Sequence, residues 1–270
     1  MSRVTLLSLA GATALLSTAA FAADLSPPPL MMPAPVVEGG WYLRGDIGMS
    51  SQQFNGLSHP GFAGTPQFTF LDKGGFDSAP FFLIGLGYQW NSWLRFDITG
   101  EYRGGASFHA LDRFLNGTTF NTNDYTAKKS EWVALANAYL DLGTWWCVTP
   151  FIGAGVGFTR NQIDHFRDTN VIAGGGGWAD TGATWGLAWA LHAGASYKVT
   201  SNFGVELAYR YLNLGNAQTG TLVNLDPTFV SGNPLAPMTF KSIYSHDVML
   251  GLRWNLQPEP VYSPPLIRKG

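Results

Sequence analysis

From Trp41 to Asn255, apolar and polar residues alternate with a period of two in repeated short runs, which is the pattern of β-strands. The run from Leu94 to Arg103 shows it most clearly. Leu94, Phe96, Ile98, Gly100 and Tyr102 share one face, and Arg95, Asp97, Thr99, Glu101 and Arg103 share the other. If the charged face met hydrocarbon, each arginine near the bilayer midplane would cost about 2–4 kcal/mol, so the apolar face is expected outward and the charges inward.

Seven other segments repeat the scheme. Trp41, Leu43, Ile47 and Met49 oppose Arg44, Asp46 and Ser50, and Phe82, Ile84, Leu86, Tyr88 and Trp90 oppose Gly85, Gly87 and Gln89. Ile152, Ala154, Val156 and Phe158 oppose three glycines, and Leu187, Trp189, Leu191 and Tyr197 oppose Ala190, His192, Gly194 and Ser196. Val205, Leu207, Tyr209 and Tyr211 oppose Glu206, Ala208 and Arg210; Val248, Leu250, Leu252 and Trp254 oppose Asp247, Gly251, Arg253 and Asn255. The segment from Trp132 to Leu142 is apolar on both faces, and its polar members Asn137 and Asp141 are assigned inward. The connections alternate in length: 54–79, 104–128, 160–183 and 215–238 are long, whereas 91–93, 143–149 and 200–202 are short. Long–short alternation with strands of about 9–11 residues predicts an all-β fold, an eight-stranded antiparallel up-and-down transmembrane β-barrel. Closure is required because unpaired backbone groups in hydrocarbon each cost several kcal/mol.

Composition agrees. Only 13% of residues are charged, 14% are aromatic and there are 33 glycines among 270 residues. A net charge of −2 with no Lys/Arg-rich run excludes a nucleic-acid partner. Arg3 followed by an apolar run and Ala20-Phe21-Ala22 predicts a signal peptide over 1–22. A proline-rich periplasmic spacer over 23–39, a barrel over 40–256 and a C-terminal tail over 257–270 complete the expected organisation, with both termini periplasmic in the cell outer membrane. Trp41, Trp90, Trp93, Trp145, Trp146 and Trp254 fall near strand ends, as an aromatic girdle requires. Cys147, the single cysteine, is read as a turn residue at the membrane interface.

Several motifs carry a resemblance to a known family. They are Gly40-Trp41-Tyr42-Leu43-Arg44-Gly45-Asp46-Ile47-Gly48, Pro150-Phe151-Ile152-Gly153-Ala154-Gly155-Val156-Gly157, Glu206-Leu207-Ala208-Tyr209-Arg210-Tyr211 and His246-Asp247-Val248-Met249-Leu250-Gly251-Leu252-Arg253-Trp254. In order, they resemble the OmpA-like, opacity-type outer-membrane barrels, in particular their alphaproteobacterial surface-protein branch. The resemblance implies eight strands and a role in envelope integrity, adhesion or host contact. It implies no peptidoglycan-binding activity here, because only a short stretch follows Leu256.

The inward set Arg44, Arg95, Arg103, Arg210 and Arg253 against Asp46, Asp97, Glu101, Asp141, Glu206 and Asp247 nearly cancels in charge. Eight strands enclose just enough room for side chains, so these groups are expected to form an ion-pair network that plugs the lumen. The same set would also suit a narrow selective pore. Ser245-His246-Asp247 has the residue types of a catalytic triad, yet alternation turns His246 away from both neighbours. Gly153-Ala154-Gly155-Val156-Gly157 lacks the third glycine and the helix of a dinucleotide site; its glycines are expected to leave room for larger lumen side chains. His59, His109 and His165 are assigned to three separate outer loops and have no metal-ligand spacing. No catalytic, cofactor or metal residues are assigned. Aromatics such as Phe62, Phe68, Phe70, Phe114, Phe120, Phe166, Trp178 and Phe229 stud the predicted loops, where partners would bind. The expected role is therefore structural or surface-interacting, with outer-membrane lipid and lipopolysaccharide, the assembly machinery and host or surface ligands as partners. A small porin-like channel is the alternative, and a lipid A-modifying enzyme comes third.

Overall fold

The computed structural model describes residues 39–172, 174–225 and 236–256. The expected signal peptide (1–22), the expected spacer up to residue 38, the expected tail (257–270) and Phe229 lie outside the described residues. Eight long strands build the molecule: β1 (Gly40–Gln53), β2 (Ala79–Gln89), β3 (Leu94–Asn116), β4 (Asn123–Asp141), β5 (Val148–Asn170), β6 (Gly182–Lys198), β7 (Phe203–Gln218) and β8 (Thr239–Asn255). Each pairs antiparallel with its sequence neighbours, and β1 also pairs with β8 through Tyr42↔Asn255 to Gln53↔Tyr244. The sheet is therefore a closed, up-and-down ring. No helix among the described residues is long and apolar enough to cross a membrane.

Alternation sets the two faces of the wall. Ile47, Ile84, Ile98, Leu187 and Val248 are more than half exposed, whereas Arg44, Asp97, Glu101, Arg103, Glu206 and Asp247 are buried. Over Trp132 to Asp141 on β4 the buried positions are Val133, Leu135, Asn137, Tyr139 and Asp141, and Trp132 faces out. An apolar exterior around a charged interior is what hydrocarbon selects.

One end of the ring carries the short connections, and we call it the turn end. There Trp146 and Cys147, with φ of 48° and 69°, form a tight two-residue turn between reciprocal hydrogen bonds of Trp145 and Val148. Positive φ at both central residues is the type I′ arrangement that matches strand twist. Trp41, Trp90, Trp93, Trp145, Trp146 and Trp254 all point outward near this end and are exposed.

The opposite, long-hairpin end departs from expectation. Strands β3 and β5 each run for 23 residues and β4 for 19, about twice what a bilayer needs. Much of 104–128 and 160–183 is therefore sheet, not loop; His109 lies in β3, and His165 and Phe166 lie in β5. The pattern obscured this because the alternation changes parity. Inward positions on β3 are odd up to Arg103 and even from Ala106, across a register shift that spans Gly104 and Gly105. The same exchange occurs on β5 near His165 (φ 54°), on β7 near Gly215 (φ 67°) and on β8 near Ser242 (φ 52°). Each β-bulge inserts a residue and turns the following side chains to the other face. Around the bulges the interior becomes apolar, filled by Ile163, Leu212 and Ile243 just before them and by Phe76, Phe108, Phe166, Met238 and Phe240 beyond them.

Candidate functional site: the barrel lumen

Glycines opposite large lumen residues create space within the ladder. A Cβ on Gly87 would collide with the Tyr42 ring, one on Gly251 with the Asp46 carboxylate, and one on Gly155 with the Asn137 amide. Tyr42 uses its space to donate to Asp97 Oδ2 at 3.2 Å.

The eleven inward charges named from the sequence fall into two separate clusters among the described residues. Nearer the turn end, Arg44 pairs with Asp46 and Asp97, each at 2.9 Å, and approaches Glu206. Arg95 bridges Asp141 at 3.1 Å and Glu206 at 3.0 Å, and Arg253 also reaches Glu206 at 3.1 Å. The Arg95 guanidinium lies 4.5 Å from both the Tyr139 and the Phe151 ring centroids, so aromatic rings lie against it while its Nε and Nη1 are bonded and its buried Nη2 has no partner among the described residues.

The second cluster lies toward the long-hairpin end. Arg103 donates to Glu101 at 2.7 Å, to Glu131 at 2.8 Å, to Asp247 at 2.8 and 2.9 Å, and to Ser245 at 2.8 Å. Arg210 donates to Glu101 and Asp247, and Lys129 donates to Glu131 at 2.6 Å and to Gln52 at 2.9 Å. Three cations thus face three carboxylates. Phe81 packs against this second cluster, with Arg103 and Arg210 over its ring at 4.8 and 5.1 Å.

Lys129, Glu131 and Gln52 are members that the sequence reading did not name. Continuing the β4 alternation downward from Asn137 through Val133 to Glu131 and Lys129 was the available signal. Above this cluster, Phe54, Phe76, Phe108 and Phe240 form a mutually contacting group with centroids 4.9–5.9 Å apart. This stopper lies directly over the charges, since Lys129 Nζ is 5.7 Å from the Phe76 ring.

The residues with enzyme-like types are separated or otherwise engaged. Ser245 donates to Asp247 inside the barrel, while His246 faces out and its Nδ1 lies 2.6 Å from Tyr209 Oη. His192 is buried, with Nε2 3.2 Å from Asn137 Oδ1 and its ring against Tyr139. His59 caps a short 3₁₀ turn, Pro60–Gly64, and His109 meets Asp124 at 3.1 Å, so the three outer histidines do not converge. Among the described residues, no group of three or more His, Cys, Asp or Glu side chains is arranged to hold a metal.

A third polar group lies beyond the bulges and outside the apolar belt. Tyr125 donates to Asp112, which also accepts from the Asn123 backbone N–H at 2.9 Å. Nearby, the buried Oδ1 of Asp168 has no hydrogen-bond partner among the described residues. Burial, followed by repulsion from the Asp112 carboxylate, pushes the Asp168 carboxyl up to about 7.

An apolar-walled, eight-stranded closed ring with a charged, filled interior is an outer-membrane β-barrel. Residues 8–230 match the family described as outer membrane protein beta-barrel domain, and the chain belongs to that family. It is 32% identical over 230 residues to an uncharacterised protein of Brucella abortus (strain 2308), covering 74% of this chain and 78% of that one. Among solved structures, it is similar to Neisserial surface protein A (18% identity, TM-score 0.43, 80% of this chain and 97% of that one). It is also similar to OprG from Pseudomonas aeruginosa (13% identity, TM-score 0.47, 81% of this chain and 97% of that one).

Proposed function

We propose that this outer-membrane barrel is closed to solutes and non-enzymatic, and serves envelope structure and surface contact through its long hairpins. The carrying observation is the filled lumen: two ion-pair clusters in series, capped by the Phe54–Phe76–Phe108–Phe240 stopper. Open water in such a ring would need unpaired or exposed charges, whereas Arg44, Arg95, Arg103 and Arg210 are buried and each is paired with a carboxylate. The turn end and both termini face the periplasm in this reading, and the long hairpins face outward, where lipopolysaccharide and host or surface ligands would be met. Their tips present Val171, Ile172, Val223 and Leu225, all more than a third exposed, as apolar contact points on a rigid scaffold. Insertion by the outer-membrane assembly machinery belongs to the same proposal.

Single-channel recording of the refolded protein in a planar bilayer tests closure. Silence at moderate voltage is expected; a stable conductance that shifts on Arg95→Ala would favour the porin-like alternative. Orientation is tested through Cys147, which is free and exposed in a turn. A membrane-impermeant maleimide should label it only after the outer membrane is permeabilised, and labelling on intact cells would invert the topology.

A further inference from the structure

The outer wall is not uniformly rough. Across β7, β8, β1, β2 and β3 the register aligns Leu207, Leu250, Ile47, Phe82 and Tyr102 in one outward row. The next row toward the long-hairpin end is Tyr209, Val248, Met49 and Pro80, and Gly104 follows on β3. Pro80 is short and Gly104 has no side chain, so this row falls away beneath the standing rings of Phe82 and Tyr102. The result is a groove of about 670 Å³ with an apolar lining that includes Ile47, Met49, Pro80, Phe82, Leu207 and Val248.

The lining itself is apolar, and a polar group lies beyond it on β7 and β8, toward the long-hairpin end. His246 is the next outward residue after Val248 on β8, and its Nδ1 is held at 2.6 Å by Tyr209 Oη. Its second ring nitrogen has no protein partner among the described residues. Tyr211 packs edge-on against His246 at 5.5 Å, and Tyr244 donates to Gln53 Oε1 at 2.7 Å on the adjoining strand. An apolar trough with hydrogen-bonding aromatics beyond one edge matches an amphiphile whose head lies toward the long hairpins.

We propose that this groove binds one acyl chain of an outer-leaflet glycolipid, with the Tyr209–His246 pair and Tyr244 meeting the polar groups at the head of that chain. The occupant follows from position. The groove is continuous with the lipid-facing wall, so hydrocarbon covers it. The polar group lies toward the end that the proposed orientation places outside, so the inference rests on that reading. Five strands at a spacing of about 4.8 Å give a trough of roughly 19 Å. One leaflet of a roughly 30 Å hydrocarbon core is about 15 Å deep, so one chain fits along it. Because membrane strands tilt by about 35–45°, a row crossing them runs obliquely down the wall, as an inserted chain can.

Native mass spectrometry of the purified full-length barrel in detergent, titrated with lipid A, tests this without reference to orientation. One lipid A per barrel is expected. Filling the trough with Met49→Trp and Gly104→Leu together should weaken binding by about tenfold or more, the factor expected when a few methylenes are excluded. Met49→Trp alone, confined to the lipid-facing side chain, keeps the test usable if the double variant does not fold. Ile84→Trp, at another outward position, should leave binding unchanged, and His246→Ala should weaken lipid A but not a free fatty acid. Equal binding by native and filled barrels overturns the proposal. Binding of a phospholipid or fatty acid as tight as lipid A overturns the glycolipid assignment. A Cys147 labelling result that inverts the topology, with groove binding intact, would fault the orientation and not the groove.

Discussion

Replacing Arg103 with Met isolates what the lumen network contributes to stability. Arg103 touches Glu101, Glu131 and Asp247 at 2.7–2.9 Å, and its side chain is fully buried. After substitution, Lys129 and Arg210 remain as two cations against the same three carboxylates, so one negative charge is left uncompensated away from water. Breaking a buried pair by removing one partner costs about 3–5 kcal/mol, and that is the expected loss. Methionine retains much of the contact with Phe81, so lost packing adds little. The diagnostic step is the second substitution. Glu131→Gln in the Arg103→Met background restores two cations against two carboxylates and keeps an acceptor for Lys129. The double variant should therefore recover about 1–3 kcal/mol relative to the sum of the single changes. Reversible urea unfolding in lipid vesicles, followed by tryptophan fluorescence, measures all four proteins. The loss should persist at high salt, because buried pairs are weakly screened. A single-variant loss below about 1 kcal/mol, or strict additivity in the cycle, would refute the account of a desolvated, charge-balanced cluster.

Three further outcomes follow from other parts of the molecule. Asp168 is raised to about 7 in the folded extension, above its ordinary value near 3.9 when unfolded, so the folded form binds more protons between these limits. Its stabilising contribution is therefore complete below about pH 4 and lost as pH rises through 7; the protection factor of the Phe166↔Ala179 pairing, which is the exchange rate divided into its intrinsic base-catalysed value at each pH, should be lower at pH 8 than at pH 5, and the same at both in Asp168→Asn. Gly87→Leu drives a side chain into the Tyr42 ring and should destabilise the barrel by about 1–3 kcal/mol or more in the same urea assay, whereas Gly100→Leu, with open space around it, should not. Phe108→Ala should cost about 3–5 kcal/mol and loosen exchange in the long hairpins, yet leave the bilayer recording silent, because both ion-pair layers remain below it.

Much of this barrel is written in the chain itself. Hydrocarbon permits only one face of each strand to carry charge, so alternation over Leu94 to Arg103 decides that Arg95, Asp97, Glu101 and Arg103 point inward. Closure of the ring follows from the same constraint, since open edges are not tolerated in lipid, and the count of eight follows from the eight alternating segments and their long–short connections. Period two, however, specifies a face and not a partner. That Arg103 meets Asp247, 144 residues away, and that Arg95 meets Glu206 depends on which strands become neighbours when the ring closes and on their stagger. The interior glycines act at this level too, because the room beside Gly251 matters only once Asp46 lies opposite it. Beyond the belt, hydrocarbon no longer enforces a strict pattern, and single bulges at Gly104–Gly105, His165, Gly215 and Ser242 reverse the parity without any change in composition. The extended hairpins, their phenylalanine stopper and the buried Asp168 carboxyl are consequences of that reversal, and only the folded ring decides them.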